Sequence, residues 1–185
     1  SHQFSTTGSS SGNPIRFYRY SYNTENDTYA LDSGFPVTIG DVSTEALVIE
    51  KDSTGTIWAA WTQSRRVRIA HTTTSDTSWS SPVVLPTNTT NLDADDICSL
   101  IRFGNRIGVL WSDQVVNAYR FSHHLDGAAD NSWSSVENVT SNESDDHLNL
   151  AADSTGRVFL AGKNAANNLL LLVRGGSGGW DRVGV

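Results

Sequence analysis

A period of about 50 residues runs through the sequence and restricts the chain to repeat architectures. Two stretches align around Gly55 and Gly156, which are 101 positions apart. Between them a third stretch ends in Trp111, 50 positions after Trp61. A further tryptophan recurs downstream of each stretch, at Trp79, Trp133 and Trp180. Because the six tryptophans hold repeat-register positions, we expect most of them to pack between repeats rather than to stack on sugar rings.

Each repeat contains signals for four short strands and lacks the periodicity of a helix. In the best copy, a strand at 46–51 precedes the segment 52–55, a tight turn whose glycine can adopt a positive φ. The second strand, 56–63, is apolar on both faces, which is typical of a strand inside a sheet with neighbours on both sides. The third, 66–72, alternates apolar and wetter residues, and the fourth begins at Trp79.

Four antiparallel strands repeated every 40–50 residues or so are typical of β-propeller blades. We therefore predict an all-β chain with three blades, at 45–94, 95–145 and 146–185. The segment 13–44 predicts the last two strands of a further blade, a half-blade without visible inner strands. Residues 1–12 are interpreted as a flexible lead-in or an expression remnant.

The sequence thus predicts about three and a half blades, and a propeller ring closes with at least about four. The half-blade favours a chain that is part of a larger propeller. The absence of methionine agrees, since it predicts a processed or excised piece. The alternative is a complete four-bladed propeller in which residues 1–12 contain a weak strand.

Composition excludes several classes of partner. The net charge is −7, and eleven of the thirteen basic residues are arginines without any basic run, which argues against nucleic acid. The longest apolar run, 169–173, is far shorter than the roughly 20 residues of a membrane-spanning helix. The single cysteine, Cys98, excludes an internal disulfide and is expected to be a small buried residue.

The loops before the repeated tryptophans resemble worn copies of a known hairpin. The loops end in Ser-Asp-Thr-Ser-Trp79, Leu-Asp-Gly-Ala-Ala-Asp-Asn-Ser-Trp133 and Gly-Ser-Gly-Gly-Trp180. They are similar to the Asp-box, Ser-x-Asp-x-Gly-x-Thr-Trp, of sialidase-like BNR-repeat propellers, and the resemblance covers residues 14–185. It implies a propeller fold and an extracytoplasmic, often glycan-related setting. In such folds the Asp-box is a structural turn, so the resemblance implies no catalytic residue.

Acidic residues stand immediately before the first strand of each repeat, and a histidine follows the last pair. These candidate ligand-binding residues are Glu45, Asp95, Asp96, Asp145, Asp146 and His147. Because the first strand of a blade is innermost, we expect them to converge at one mouth of the central channel. Glu45, Asp96 and Asp146 are candidate Ca²⁺ ligands, since that ion prefers oxygen ligands. The alternative is that these acids only shape turns and hydrate the loops.

No catalytic motif accompanies the repeats: the sequence has no Gly-x-Ser-x-Gly elbow and no phosphate loop, and we assign no catalytic residue. The sequence therefore favours a secreted or cell-surface binding or scaffold module that recognises a glycan or a protein partner, with Ca²⁺ as the one cofactor considered. One alternative is a fragment of a sialidase-like glycoside hydrolase or polysaccharide lyase. Another is a structural surface component that another chain completes by strand exchange.

Overall fold

The structure is a computed structural model that describes residues 2–5, 14–41, 44 and 46–184. These residues form seventeen β-strands in four separate antiparallel sheets. No helix of membrane-spanning length and apolarity occurs among them. The prediction of an all-β chain is confirmed.

The first sheet contains four strands where the predicted half-blade has two. It consists of β1 (His2–Ser5), β2 (Ile15–Asn23), β3 (Thr28–Leu31) and β4 (Val37–Gly40). The central strand is β2, which pairs antiparallel with β1 on one edge and with β3 and β4 on the other. The segment 1–12, interpreted above as a flexible lead-in, thus contributes the short strand β1 to this sheet.

The other three sheets are meanders whose strands largely follow in chain order. The second contains β5 (Leu47–Lys51), β6 (Ile57–Gln63), β7 (Arg66–Ser75), β8 (Ser78–Trp79) and β9 (Val83–Val84). The third contains β10 (Cys98–Phe103), β11 (Arg106–Asp113), β12 (Ala118–Leu125) and β13 (Glu137–Asn138). The fourth contains β14 (Leu148–Ala152), β15 (Val158–Lys163), β16 (Leu169–Arg174) and β17 (Trp180–Arg182).

Neighbouring sheets pack face to face, and a separate apolar core fills each junction. The two faces of β6 serve different junctions: Trp61 lies in the core shared with Phe17 of the first sheet, and Trp58 lies in the core shared with Trp111 of the third. The first strands β5, β10 and β14 of successive sheets lie next to one another. We call the sheets the first to fourth blades. The outer face of the fourth blade is uncovered, with Leu169 75% exposed, and the four blades do not close a ring.

The turn between the first two strands of a blade has the predicted geometry. Gly55 has a φ of 100° and Gly156 a φ of 83°, values that favour glycine. In the second blade, Asp52 Oδ1 accepts the backbone N–H groups of Thr54 and Thr56. Asp153 plays the same part in the fourth blade. The Asp-x-x-Gly spacing thus fixes both hairpins.

Candidate functional site

Three of the predicted site residues form a cluster just before β14. His147 Nδ1 lies 2.7 Å from Asp145 Oδ1 and 2.5 Å from Asp146 Oδ1. Lys163 Nζ of β15 lies 3.4 Å from the same oxygen of Asp145. One ligand atom from each of Asp145, Asp146 and His147 falls within 4.8 Å of the others, a spacing that suits a single metal ion.

The protonation of this cluster follows from its mutual contacts. Burial opposes ionisation of Asp145, but hydrogen bonds from Asp146, His147 and Lys163 outweigh it and lower the pKa of Asp145. The hydrogen bond to Asp145, together with burial, raises the pKa of Asp146. The two carboxylates raise the pKa of His147. The cluster therefore balances much of its own negative charge, and a cation has to compete with a proton and two basic side chains.

The other predicted acids are placed differently. Asp96 is 1% exposed, and its Oδ2 accepts the backbone N–H of Asp93 at 2.7 Å, while both its oxygens lie 3.2 Å from the backbone nitrogen of Gln114. The exposed Asp95 accepts a hydrogen bond from the Gln114 side chain. Glu45 lies outside the described residues. Asp96 thus shapes its loop, and a Ca²⁺ site that combines the three candidate ligands stays a prediction.

A hollow of about 580 Å³ adjoins the cluster on the uncovered side of the fourth blade. Its lining is mainly apolar and includes Leu169 and Leu171 of β16. Ile97, which follows Asp96 directly, lines this hollow together with Asp146 and His147. The residues just before β10 and β14 therefore lie close together at one end of the blades.

A larger groove, of about 810 Å³, lies between the first and second blades. We call it the interblade groove. Its described lining is mostly polar and combines five hydroxyl side chains with an amide, a guanidinium, a carboxylate and an indole. These residues are Thr38, Asp41, Gln63, Arg68, Thr77, Ser78, Trp79, Ser80 and Ser81. Such a lining offers many hydrogen-bonding groups around one flat aromatic surface.

Trp79 is held firmly at the side of the interblade groove. Its Nε1 donates to the backbone carbonyl of Asp76 at 3.0 Å. The indole packs edge to face on Phe17 of the first blade, with ring centroids 5.4 Å apart. In the third blade, Trp133 makes the same bond to the carbonyl of Asp130, so two of the Asp-box-like loops share one local geometry. Trp180 differs, because its Nε1 donates to the Glu137 carboxylate.

The polar groups of the groove are positioned by the second blade. Trp61 Nε1 donates to Gln63 Oε1 at 3.0 Å and so orients the amide. Ser80 Oγ accepts the backbone N–H of His71 at 3.1 Å, which leaves its hydroxyl hydrogen for another acceptor. Arg68 is half-buried, and its Nε is buried without an acceptor.

The interblade groove was not predicted from the sequence. One residue of the groove does have a signal in the sequence, because arginine recurs at intervals of 52 residues, at Arg16, Arg68 and Arg120. Each faces the last strand of its blade, opposite Thr38, Val84 and Asn138 respectively. The open space between the blades, in contrast, depends on packing that no spacing in the sequence reveals.

Comparison with known structures decides the fold. The chain is similar to an exo-1,5-α-L-arabinanase from a bovine ruminal metagenomic library, with a TM-score of 0.52 over 94% of this chain and 70% of that one. The chain is a β-propeller. The sequence identity is 13%, so the similarity concerns the fold alone. No family model matches this β-propeller, and neither does any curated protein.

Proposed function

We propose that this β-propeller binds a carbohydrate and that the interblade groove is its saccharide site. The observation that carries the proposal is the lining of the groove, where Trp79 stands beside Gln63, Arg68 and several hydroxyl side chains. Saccharides present many hydroxyl groups and flat apolar ring faces. Hydrogen-bonding groups around an aromatic side chain complement both features.

The size and rigidity of the groove support this proposal. Its volume of about 810 Å³ lies within the range of about 300–1,000 Å³ of small-molecule sites. Trp79 and Gln63 are fixed by hydrogen bonds within the protein. A ligand therefore meets groups whose conformational entropy is already restricted, which favours affinity.

Binding is favoured over hydrolysis by the charge of the same lining. Glycoside hydrolases use two carboxyl groups on either side of the scissile bond. The described lining of the interblade groove contains one carboxylate, Asp41. A glycoside hydrolase, the class to which the arabinanase belongs, is the alternative proposal, and a polysaccharide lyase is a further one. A Ca²⁺ site would instead use Asp145 and Asp146, just before β14.

We also propose a secreted or cell-surface setting and a sialidase-like origin, supported by the shared geometry of Trp79 and Trp133 in the Asp-box-like loops. Completion of the ring by another chain is a further proposal. The apolar outer face of the fourth blade supports it, because Leu169 and Leu171 occupy the positions that correspond to Val67 and Ile69 of the second blade, which are buried.

The experiment is a titration of the protein with a panel of neutral and acidic oligosaccharides. Tryptophan fluorescence measures binding, and an assay for released reducing sugar measures hydrolysis. We expect saturable binding without hydrolysis. Ser81→Tyr fills the groove and should weaken binding by about tenfold or more. Thr74→Tyr, an exposed substitution outside the groove lining, should leave binding unchanged.

Two outcomes would contradict the proposal. One is binding that Ser81→Tyr leaves intact, which would place the saccharide elsewhere on the protein. The other is the absence of binding to every member of the panel. Release of reducing sugar would replace the proposal with the hydrolase alternative.

A further inference from the structure

We infer that the interblade groove selects saccharides that carry an anionic group, and that Arg68 is the residue that binds this group. The inference rests on the proposed saccharide site and adds the chemical class of its ligand. It depends on the unusual state of one guanidinium.

Arg68 stands apart from the other arginines of the protein. Seven of the eleven arginines donate side-chain hydrogen bonds to protein acceptors, namely Arg19, Arg66, Arg106, Arg120, Arg157, Arg174 and Arg182. Three more are exposed to solvent: Arg16, Arg65 and Arg102. Arg68 is half-buried and, among the residues that the structure describes, has neither an ion-pair partner nor an acceptor for its buried Nε.

A half-buried guanidinium without an acceptor is unfavourable, because it has lost part of its hydration and gained no hydrogen bond in return. An anionic ligand group in the groove restores this interaction. The guanidinium is planar and carries several N–H donors, which suits the paired oxygens of a carboxylate or a sulfate ester. A neutral sugar hydroxyl offers no such charge complement.

The third blade contains the corresponding arginine in a neutralised state. Arg120 pairs in register with Trp111, as Arg68 pairs with Trp61. Arg120 donates to Asn138, and its Nε lies 3.9 Å from Asp113 Oδ2.

The second blade replaces both partners at the matching positions. Gln63 follows Trp61 by two residues, as Asp113 follows Trp111, and Val84 stands opposite Arg68 where Asn138 stands opposite Arg120. The second blade thus keeps the arginine but has no acid at the position that corresponds to Asp113.

Asp41 limits the number of charges that the groove accepts. It is the one acidic residue in the described lining, is exposed, and forms no ion pair with Arg68. A polyanion that fills the groove would be repelled by Asp41. A saccharide with one anionic group close to Arg68 avoids that repulsion.

The test compares ligands that differ chiefly in charge. Isothermal titration calorimetry measures the affinity of the protein for galacturonic acid, which carries one carboxylate, and for its neutral methyl ester. We expect the acid to bind about tenfold tighter or more, as for a hydrogen bond to a charged group. N-acetylgalactosamine 4-sulfate and neutral N-acetylgalactosamine form a second pair, which tests a single sulfate in place of the carboxylate.

Three variants assign the preference. Arg68→Gln removes the cation. Gln63→Asp keeps Arg68 and introduces an acid at the position that corresponds to Asp113 of the third blade. Each variant should bring the ratio of acid affinity to ester affinity close to one. Arg102→Gln changes the net charge equally at an exposed site and should keep the ratio of the unmodified protein. Circular dichroism confirms that each variant is folded.

The outcomes separate this inference from the proposed function. If acid and ester bind equally and Ser81→Tyr abolishes both, the saccharide site stands and the role of Arg68 is wrong. The role of Arg68 is also wrong if the preference for the acid survives in Arg68→Gln and Gln63→Asp. If no saccharide binds, the proposed function itself fails.

Discussion

The junction between the first and second blades differs from the junction between the second and third in how completely it is filled. At the second–third junction, the connection from β9 to β10 places Leu85 and Leu92 in the apolar core, both 0% exposed. Asp96 from the same connection binds backbone N–H groups. At the first–second junction, the apolar core around Phe17 and Trp61 leaves a polar groove of about 810 Å³ beside it. The connection from β9 to β10 thus covers the second–third junction, while the first–second junction keeps a groove beside its core, which we propose as the ligand site.

The largest expected effect comes from breaking the sealed junction. Leu92→Ala removes a fully buried side chain and leaves a cavity in the second–third core, which should lower the free energy of unfolding by about 2–5 kcal/mol. Thr38→Ala, at an exposed position of the interblade groove, should change it by less than about 0.5 kcal/mol. Urea unfolding of both variants measures the difference. Equal losses would show that the two junctions are not distinct.

The third–fourth junction adds an ion pair to this comparison. Arg174 donates to both oxygens of Glu137, at 2.7 and 2.8 Å, and Trp180 Nε1 donates to one of them at 3.0 Å. Glu137→Gln leaves the buried guanidinium without a counter-charge and should cost about 2–3 kcal/mol in urea unfolding. Glu143→Gln, which breaks the more exposed pair with Arg182, should cost less than about 1 kcal/mol.

The same pair predicts a pH dependence. Burial opposes ionisation of Glu137, but Arg174 and Trp180 outweigh it and lower its pKa. Its stabilising contribution is therefore complete above the unfolded pKa of about 4.3 and is lost as the pH falls through the lower, folded pKa. The free energy of unfolding should fall less steeply in this acidic range for Glu137→Gln than for the unmodified protein. An unchanged slope would contradict the assignment.

The equivalent turns at Asp52 and Asp153 allow a test with a smaller expected effect. Asp52 is 4% exposed and accepts hydrogen bonds from Thr54, Thr56 and the Trp58 indole. Asp52→Ala should cost about 2 kcal/mol, because the buried donors lose their acceptor. Asp153→Ala at the more exposed turn should cost less. Thermal unfolding compares the two, and a larger loss for Asp153→Ala would contradict the role of burial.

The smallest effect concerns the cluster of Asp145, Asp146 and His147, the competing candidate site. We expect the pKa of His147, measured by NMR, to lie above its ordinary value of 6.5, because Asp145 and Asp146 accept hydrogen bonds from its protonated ring. Asp145→Asn should lower it. Addition of Ca²⁺ that lowers the same pKa would support the predicted cation site, and an unchanged titration would count against it.

The repeat made the fold predictable, while the sites depended on register and packing. The spacing of Trp61 and Trp111 identified successive blades, and both residues are buried. Cys98 is buried as expected, and burial raises the pKa of its thiol to about 12. The strand β1 was missed because residues 2–5 lack a clear apolar alternation. Asp96 looked like a ligand because its sequence position does not reveal the backbone N–H groups that it binds.

The unpaired state of Arg68 was hidden for a related reason. The interval of 52 residues to Arg120 is visible in the sequence. The exchange of Asp113 for Gln63 becomes meaningful only when the strand register aligns Arg68 with Trp61 and Arg120 with Trp111, because Gln63 and Asp113 then hold matching positions. The sequence therefore predicted the repeated blades. The proposed site became visible only when corresponding positions of the second and third blades were compared in the structure.

The most direct test is a crystal structure of the protein with bound galacturonic acid. We expect the saccharide in the interblade groove, with the sugar ring against Trp79 and the carboxylate within hydrogen-bonding distance of the Arg68 guanidinium. A saccharide bound at Asp145, Asp146 and His147, with the interblade groove empty, would contradict it.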